Sequence, residues 1–184
     1  LAEIAQIEIV RGPAASAYGA DAVGGMIHIK TKNYLVRKQS ANKDIGTKGS
    51  AMIGENRLRI IDAVVDSKGE DAYFGGSLNV KSSLGQIFNN PNYISDSTVS
   101  DNYRTHFDIK NYSLFGNYFI SENTKLFARA SLNTRDFNAK YFYTNSNYDE
   151  SVEKINSLWT QFGLNSQNEY HKTQIGLAYK QLTD

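Results

Sequence analysis

The chain has 184 residues, no cysteine, and 20 Lys plus Arg against 19 Asp plus Glu. The net charge of +1 offers no broad electrostatic pull toward nucleic acid or anionic lipid, and the missing thiols exclude disulfide frameworks, thiolate metal sites and cysteine nucleophiles. Mean hydropathy is negative and no run of about 18 apolar residues occurs, so a helical membrane span is excluded, whereas strands that are apolar only at alternate positions remain allowed.

Tyr 12 and Phe 9, with Gly 14 and Pro 2, favour strands. The first residues carry no start Met, basic region or apolar core of a signal peptide, so the sequence is expected to be a piece of a longer chain. Ile7 and Ile9 flank Glu8 as in a short strand. Gly12-Pro13 then permits a sharp turn with Pro opening a helical turn, which Gly19 can close as a left-handed cap. Gly24-Gly25 allows a tight bend or close backbone approach before a second strand, Met26 to Lys32. The unit reads as strand, helical turn, strand.

A polar stretch, Tyr34 to Lys48, follows and is read as a linker, giving boundaries at 1–33, 34–48 and 49–184. Beyond it the two-residue period recurs. Ala72, Phe74, Gly76, Leu78 and Val80 share one face; so do Leu126, Ala128, Ala130 and Leu132; Leu158, Phe162 and Leu164; and Thr173, Ile175, Leu177 and Tyr179. A run from Phe107 to Ile120 is aromatic on both faces, and Lys125 to Tyr143 reads as one long extended segment. Short turns at Ser67–Glu70, Ser121–Thr124 and Asn168–His171 alternate with long polar connections near 84–105 and 145–156. That order suits a membrane barrel entered from the periplasmic side, with short turns there and longer loops outside. About seven antiparallel strands are expected, too few to close one.

Residues 7–31 contain Val10-Arg11-Gly12-Pro13, Tyr18-Gly19 and Gly24-Gly25-Met26-Ile27-His28-Ile29 in order. This segment resembles the C-terminal part of the plug domain of TonB-dependent outer-membrane receptors, with Met26 and His28 where Val and Asn are more usual. The resemblance implies a mainly β chain: the end of a plug followed by the first part of a transmembrane barrel of about 22 strands. It implies residence in the outer membrane of a Gram-negative bacterium, contact with lipid, and TonB as a partner through a box absent from this sequence. It further implies energy-coupled import of a scarce, bulky ligand. Glycan importers of the family carry a Lys-Asp step where this chain has Arg11-Gly12-Pro13, which points to cargo of the iron-siderophore, haem or cobalamin type.

By the same resemblance Arg11 locks the plug to acidic residues of the barrel wall, and Gly12, Pro13, Tyr18, Gly19, Gly24 and Gly25 shape the plug. Tyr93, Tyr103 and Tyr148, in Asn-rich loops, are candidate ligand contacts. The glycines match no phosphate-binding spacing, and His28, His106 and His171 no metal-ligand spacing. Asp149, Glu150 and Glu153 read as ordinary loop charges. No nucleophile, base and orienting group assemble, so neither catalysis nor a cofactor nor nucleic-acid binding is expected. A passive porin or adhesin barrel shares the strand pattern but gives no reason for the Arg11 to Ile29 segment. A soluble β-sandwich predicts that the apolar faces pack together.

Overall fold

A computed structural model describes residues 4–12, 24–38, 44–91, 100–144, 146 and 148–184. The chain is mainly β. Strands β1 (Ile4–Arg11) and β2 (Gly25–Thr31) form a two-stranded antiparallel sheet, followed by a single helical turn, α1 (Lys32–Leu35). Seven long strands then build one antiparallel sheet: β3 (Asp44–Gly54), β4 (Leu58–Lys68), β5 (Ala72–Ser83), β8 (Phe107–Phe119), β9 (Thr124–Asn138), β10 (Val152–Gln167) and β11 (Lys172–Thr183). Their spatial order is their chain order, so the sheet is a meander with β3 and β11 at its edges. Between β5 and β8 the chain makes a small hairpin, β6 (Ile87–Asn89) with β7 (Asn102–Arg104).

Three differences from the sequence reading have local causes. The first long strand starts at Asp44, inside the stretch read as linker, because Asp44 to Lys48 pairs with Lys68 to Val64. Main-chain hydrogen bonds, which polar and small side chains permit as well as apolar ones, carry that pairing. The extended run from Lys125 ends at Asn138, where the Asn138 Oδ1 accepts the Lys140 N–H at 2.8 Å and Tyr141 turns left-handed at φ 65°. Conversely, Val152 to Asn156, read as loop, belongs to β10 through its pairing with β9.

Strand register sorts the side chains onto two faces. One carries Ile61, Val65, Phe74, Leu114, Tyr118, Leu126, Leu132, Phe162, Ile175 and Leu177, all exposed. The other carries Asp62, Asn79, Asn111, Asn133, Ser77, Ser113 and Ser131, and it is the covered one. The small core lies there too: Val64, Tyr73, Phe115 and Phe119, with Val64 only 1% exposed. The β1–β2 sheet lies over this polar face, Ile4, Ile29 and Thr31 standing opposite Asp62, Asn79, Ser113 and Arg129 across a cavity of about 460 Å³.

A hydrogen-bonded row crosses the polar face. Asn79 donates to Asp62 at 2.6 Å, Asn111 to Asn79 at 3.3 Å, Asn133 to Asn111, and Arg135 Nε to the Asn133 oxygen at 2.9 Å. Each amide is donor to one neighbour and acceptor from the next, which is how a half-buried polar row avoids leaving groups unsatisfied.

Candidate functional site

The β1–β2 sheet carries the sequence-predicted plug residues. Arg11 is exposed and stands in register with Gly25 at the end of the ladder. Among the described residues no ion pair joins it to a carboxylate. Gly12 has φ 90° with open space around it. Gly25 has φ 137°, and a Cβ there would stand 2.6 Å from the Val10 carbonyl oxygen, so close backbone approach holds glycine at 25. Gly24 sits at the bend just before β2, with nothing within 4 Å of a Cβ there. Pro13, Tyr18 and Gly19 lie outside the described residues, and with them the predicted helical turn. Glu8 pairs within its own sheet: Lys30 donates to it, Gln6 donates at 3.0 Å, and the His28 Nδ1 lies 3.3 Å away. The Lys30 ammonium is the main reason the Glu8 carboxyl is held below its ordinary range.

From β2 the chain runs directly into a strap, residues 32–38, bound to the end of the seven-stranded sheet where the short turns lie. Lys32 faces Asp66 at 3.6 Å and Lys38 faces Asp71 at 2.6 Å. Hydrogen bonding to Asp71 raises the Lys38 ammonium above its usual range. Buried Asn117 donates to the Asn33 carbonyl at 2.7 Å, and the Lys125 ammonium lies 2.8 Å from the Val36 carbonyl and 2.9 Å from that of Tyr34. Val36 packs against Val64, Tyr73, Phe115 and Phe119.

The opposite end of the sheet carries the long connections. Tyr103, on β7, stacks on Phe88 with ring centroids 5.8 Å apart and meets Tyr141 edge-on at 5.3 Å. Tyr141 ties two loops together, its hydroxyl donating to the Asn90 oxygen at 2.5 Å and its N–H to Asp149 at 2.6 Å. Asp149 also accepts from the hydroxyl and N–H of Ser151; these bonds, the hydroxyl first, hold its carboxyl below the usual range. Lys140 reaches Glu150 at 2.8 Å and is raised by that bond. The Tyr143 hydroxyl donates to Glu153, and that bond raises its pKa. Asp149 and Glu150 in the loop, and Glu153, which lies on β10 and not in the loop the sequence suggested, therefore each have a defined structural partner. Tyr148 is 86% exposed and free of this cluster; Tyr93 lies outside the described residues.

Tyr103 is thus brought into a cluster, while Tyr148 is not. Sequence reasoning missed Tyr141, Asn90 and Asp149 as the tie between the loops. The Asp149-Glu150-Ser151 step, an Asx-turn signature, was the available signal. It also missed Lys125, whose parity with Phe127 and Arg129 places it on the covered face. Among the described residues no group of three His, Asp or Glu is placed to hold a metal ion. No described helix is long and apolar enough to cross a membrane, which says nothing of strands.

No family model matches the chain. A stretch of 28 residues, 15% of this chain, is 71% identical to the vitamin B12 transporter BtuB of Vibrio vulnificus (strain YJ016), and it spans 5% of that relative's length.

Proposed function

We propose that this chain is the end of a plug domain and the first seven strands of the barrel of a TonB-dependent outer-membrane transporter importing a bulky ligand, of which the cobalamin type is best supported. No covalent chemistry is assigned to it. The observation that carries the reading is the inverted sheet: its apolar face is uncovered, and its polar face is covered by the β1–β2 sheet. A water-soluble sandwich buries the apolar faces of its sheets against one another. A membrane barrel turns its apolar band outward to lipid and keeps a polar interior, here filled by a plug. The short identity to a vitamin B12 transporter supports the same reading and favours that cargo among the three types. On this reading β3 to β5 and β8 to β11 face lipid with their apolar rows, the three short turns lie on the periplasmic side, and the Tyr103–Tyr141 cluster faces the medium.

The test is uptake of labelled vitamin B12, a ferric siderophore and haem by source cells with and without the full-length gene, each with TonB present and removed. Loss of vitamin B12 uptake in both the gene deletion and the TonB deletion is expected. Uptake of all three that is indifferent to either deletion overturns the reading.

A further inference from the structure

We propose that the row from Asp62 to Arg135 on the covered face is a contact surface for cargo in passage, and that it selects cargo edged with carboxamide groups. The inference rests on the transporter reading and deepens it by naming the chemistry that the wall recognises.

The row has a direction. Arg135 donates to Asn133 at 2.9 Å, Asn133 to Asn111, Asn111 to Asn79 at 3.3 Å and Asn79 to Asp62 at 2.6 Å, so three amides point the same way between a guanidinium and a carboxylate. Asp62, Asn79, Asn111 and Asn133 stand directly opposite one another on four neighbouring strands, about 4.8 Å apart. Reversing any one amide would set N–H against N–H on one side and C=O against C=O on the other, which fixes the orientation of all three.

These bonds use half of what the amides carry. An asparagine side chain has two N–H donors and two acceptor lone pairs, and along the row Asn79 and Asn111 each spend one of either kind. Among the described residues their side-chain bonds all run along the row, and none reaches the β1–β2 sheet. Both residues line the cavity of about 460 Å³ beneath Ile4 and Ile29. A second registered row, Ser77, Ser113 and Ser131, lines it beside them. Between Asp62 on one side and Arg129 on the other, the floor of this cavity is uncharged and hydrogen-bonding, while its roof is apolar.

A carboxamide suits that floor best. It offers a donor beside an acceptor, as asparagine does, so the two can close a pair of hydrogen bonds, whereas a carboxylate only accepts and can use only the N–H half. An arm that leaves Asn111 next meets Ser113, about 7 Å nearer the short turns, whose hydroxyl again both donates and accepts. Vitamin B12, edged with carboxamide arms, matches this surface; haem, with its carboxylates, does not.

Uptake by source cells carrying the full-length protein tests this with two labelled cargoes, vitamin B12 and a derivative in which one side-arm carboxamide is hydrolysed to the acid. Each uptake rate is divided by the amount bound in cells lacking TonB, so that surface expression and capture at the mouth drop out. The unsubstituted protein is expected to favour the amide form by about three- to tenfold, the worth of one hydrogen bond. Asn111→Val is expected to abolish that preference. Asn111→Thr, of the same shape but with a hydroxyl, is expected to keep most of it. Should Asn111→Val not reach the surface, Asn79→Val against Asn79→Thr carries the same comparison. A preference absent from the unsubstituted protein, or one that survives in the Val variants, overturns this inference alone. Absence of any TonB-dependent uptake of vitamin B12 by the unsubstituted protein overturns the transporter reading and this inference together.

Discussion

Phe127 fills the space that a side chain at Gly163 would need. A Cβ at residue 163 would stand 2.7 Å from the Phe127 Cζ and 2.2 Å from the Ile175 carbonyl oxygen, whereas one at Gly176 would meet the same ring at an ordinary 3.5 Å. A similar pairing recurs at Gly75, where a Cβ would stand 2.8 Å from the Phe115 ring. Aromatic rings lying over strand glycines pin the register of neighbouring strands.

Gly163→Ala should therefore destabilise the assembled protein by about 1–3 kcal/mol, the usual range for forcing extra volume into a packed site. Gly176→Ala should be close to neutral. Thermal unfolding of the two full-length variants in detergent, compared with the unsubstituted protein, checks the contrast, and equal effects would remove Phe127 from the explanation.

Arg57→Gly should raise stability. Asn56 and Arg57 are both left-handed in the turn between β3 and β4, at φ 53° and 56°. Asn tolerates that region, but Arg carries a strain of roughly 1–2 kcal/mol there, part of which glycine returns through its more flexible unfolded chain. A midpoint shift upward in the same unfolding experiment is the expected result, with Asn56→Gly giving a smaller one.

Tyr141→Phe should loosen the loop end without disturbing the sheet. It removes the hydroxyl that donates to Asn90, a net loss of about 1 kcal/mol, while keeping the ring against Tyr103. Limited proteolysis should cut within 84–106 and 139–151 faster in the variant, with strand segments unaffected.

Acid should act on the same tie. The Asp149 carboxyl is depressed by Ser151 and the Tyr141 N–H, so its contribution is fully present above its ordinary value near 3.8 and is lost only as pH falls through the lowered value. Loop protection measured by hydrogen exchange should stay constant from neutral pH to about 4 and fall below that; Asp149→Asn should show the weakened state at every pH.

Asn111→Leu should cost more than an exposed substitution of the same size. Asn111 gives a hydrogen bond to Asn79 and takes one from Asn133, so both neighbours lose a partner within a half-buried row, at about 1–3 kcal/mol for each group left unsatisfied. Asn79→Leu with Asn111→Leu together should show a coupling energy in a double-mutant cycle.

The strands with strict alternation were legible: the runs around Phe74, Leu126, Phe162 and Ile175 became β5, β9, β10 and β11 on the expected parity. β4 was not singled out, because Ile60-Ile61 and Val64-Val65 place apolar residues on both faces and blur the two-residue period. The structure explains the doubling, since Val64 enters the small core while Val65 lies on the uncovered face. β3 was hidden by Gly, Ser and Lys, which blur the alternation although the main-chain ladder with β4 forms regardless. At the loop end Tyr103 was legible as an aromatic in a polar segment. Tyr141 was not, because its role depends on Asn90 and Asp149, which only the fold brings beside it. Lys125 looked like any cation after a turn, and nothing in its neighbours announces that its acceptors lie some ninety positions earlier.

Those acceptors are all main-chain oxygens, which has a consequence for how the strap can vary between related proteins. Lys125 reads where the chain passes, not which residues it is made of. Tyr34 and Leu35, whose side chains are exposed, can drift without loosening the hold. The positions under restraint are then Lys125, Asn117 and Val36. A comparison of related sequences should find the tether recorded on the sheet more clearly than on the tethered segment itself.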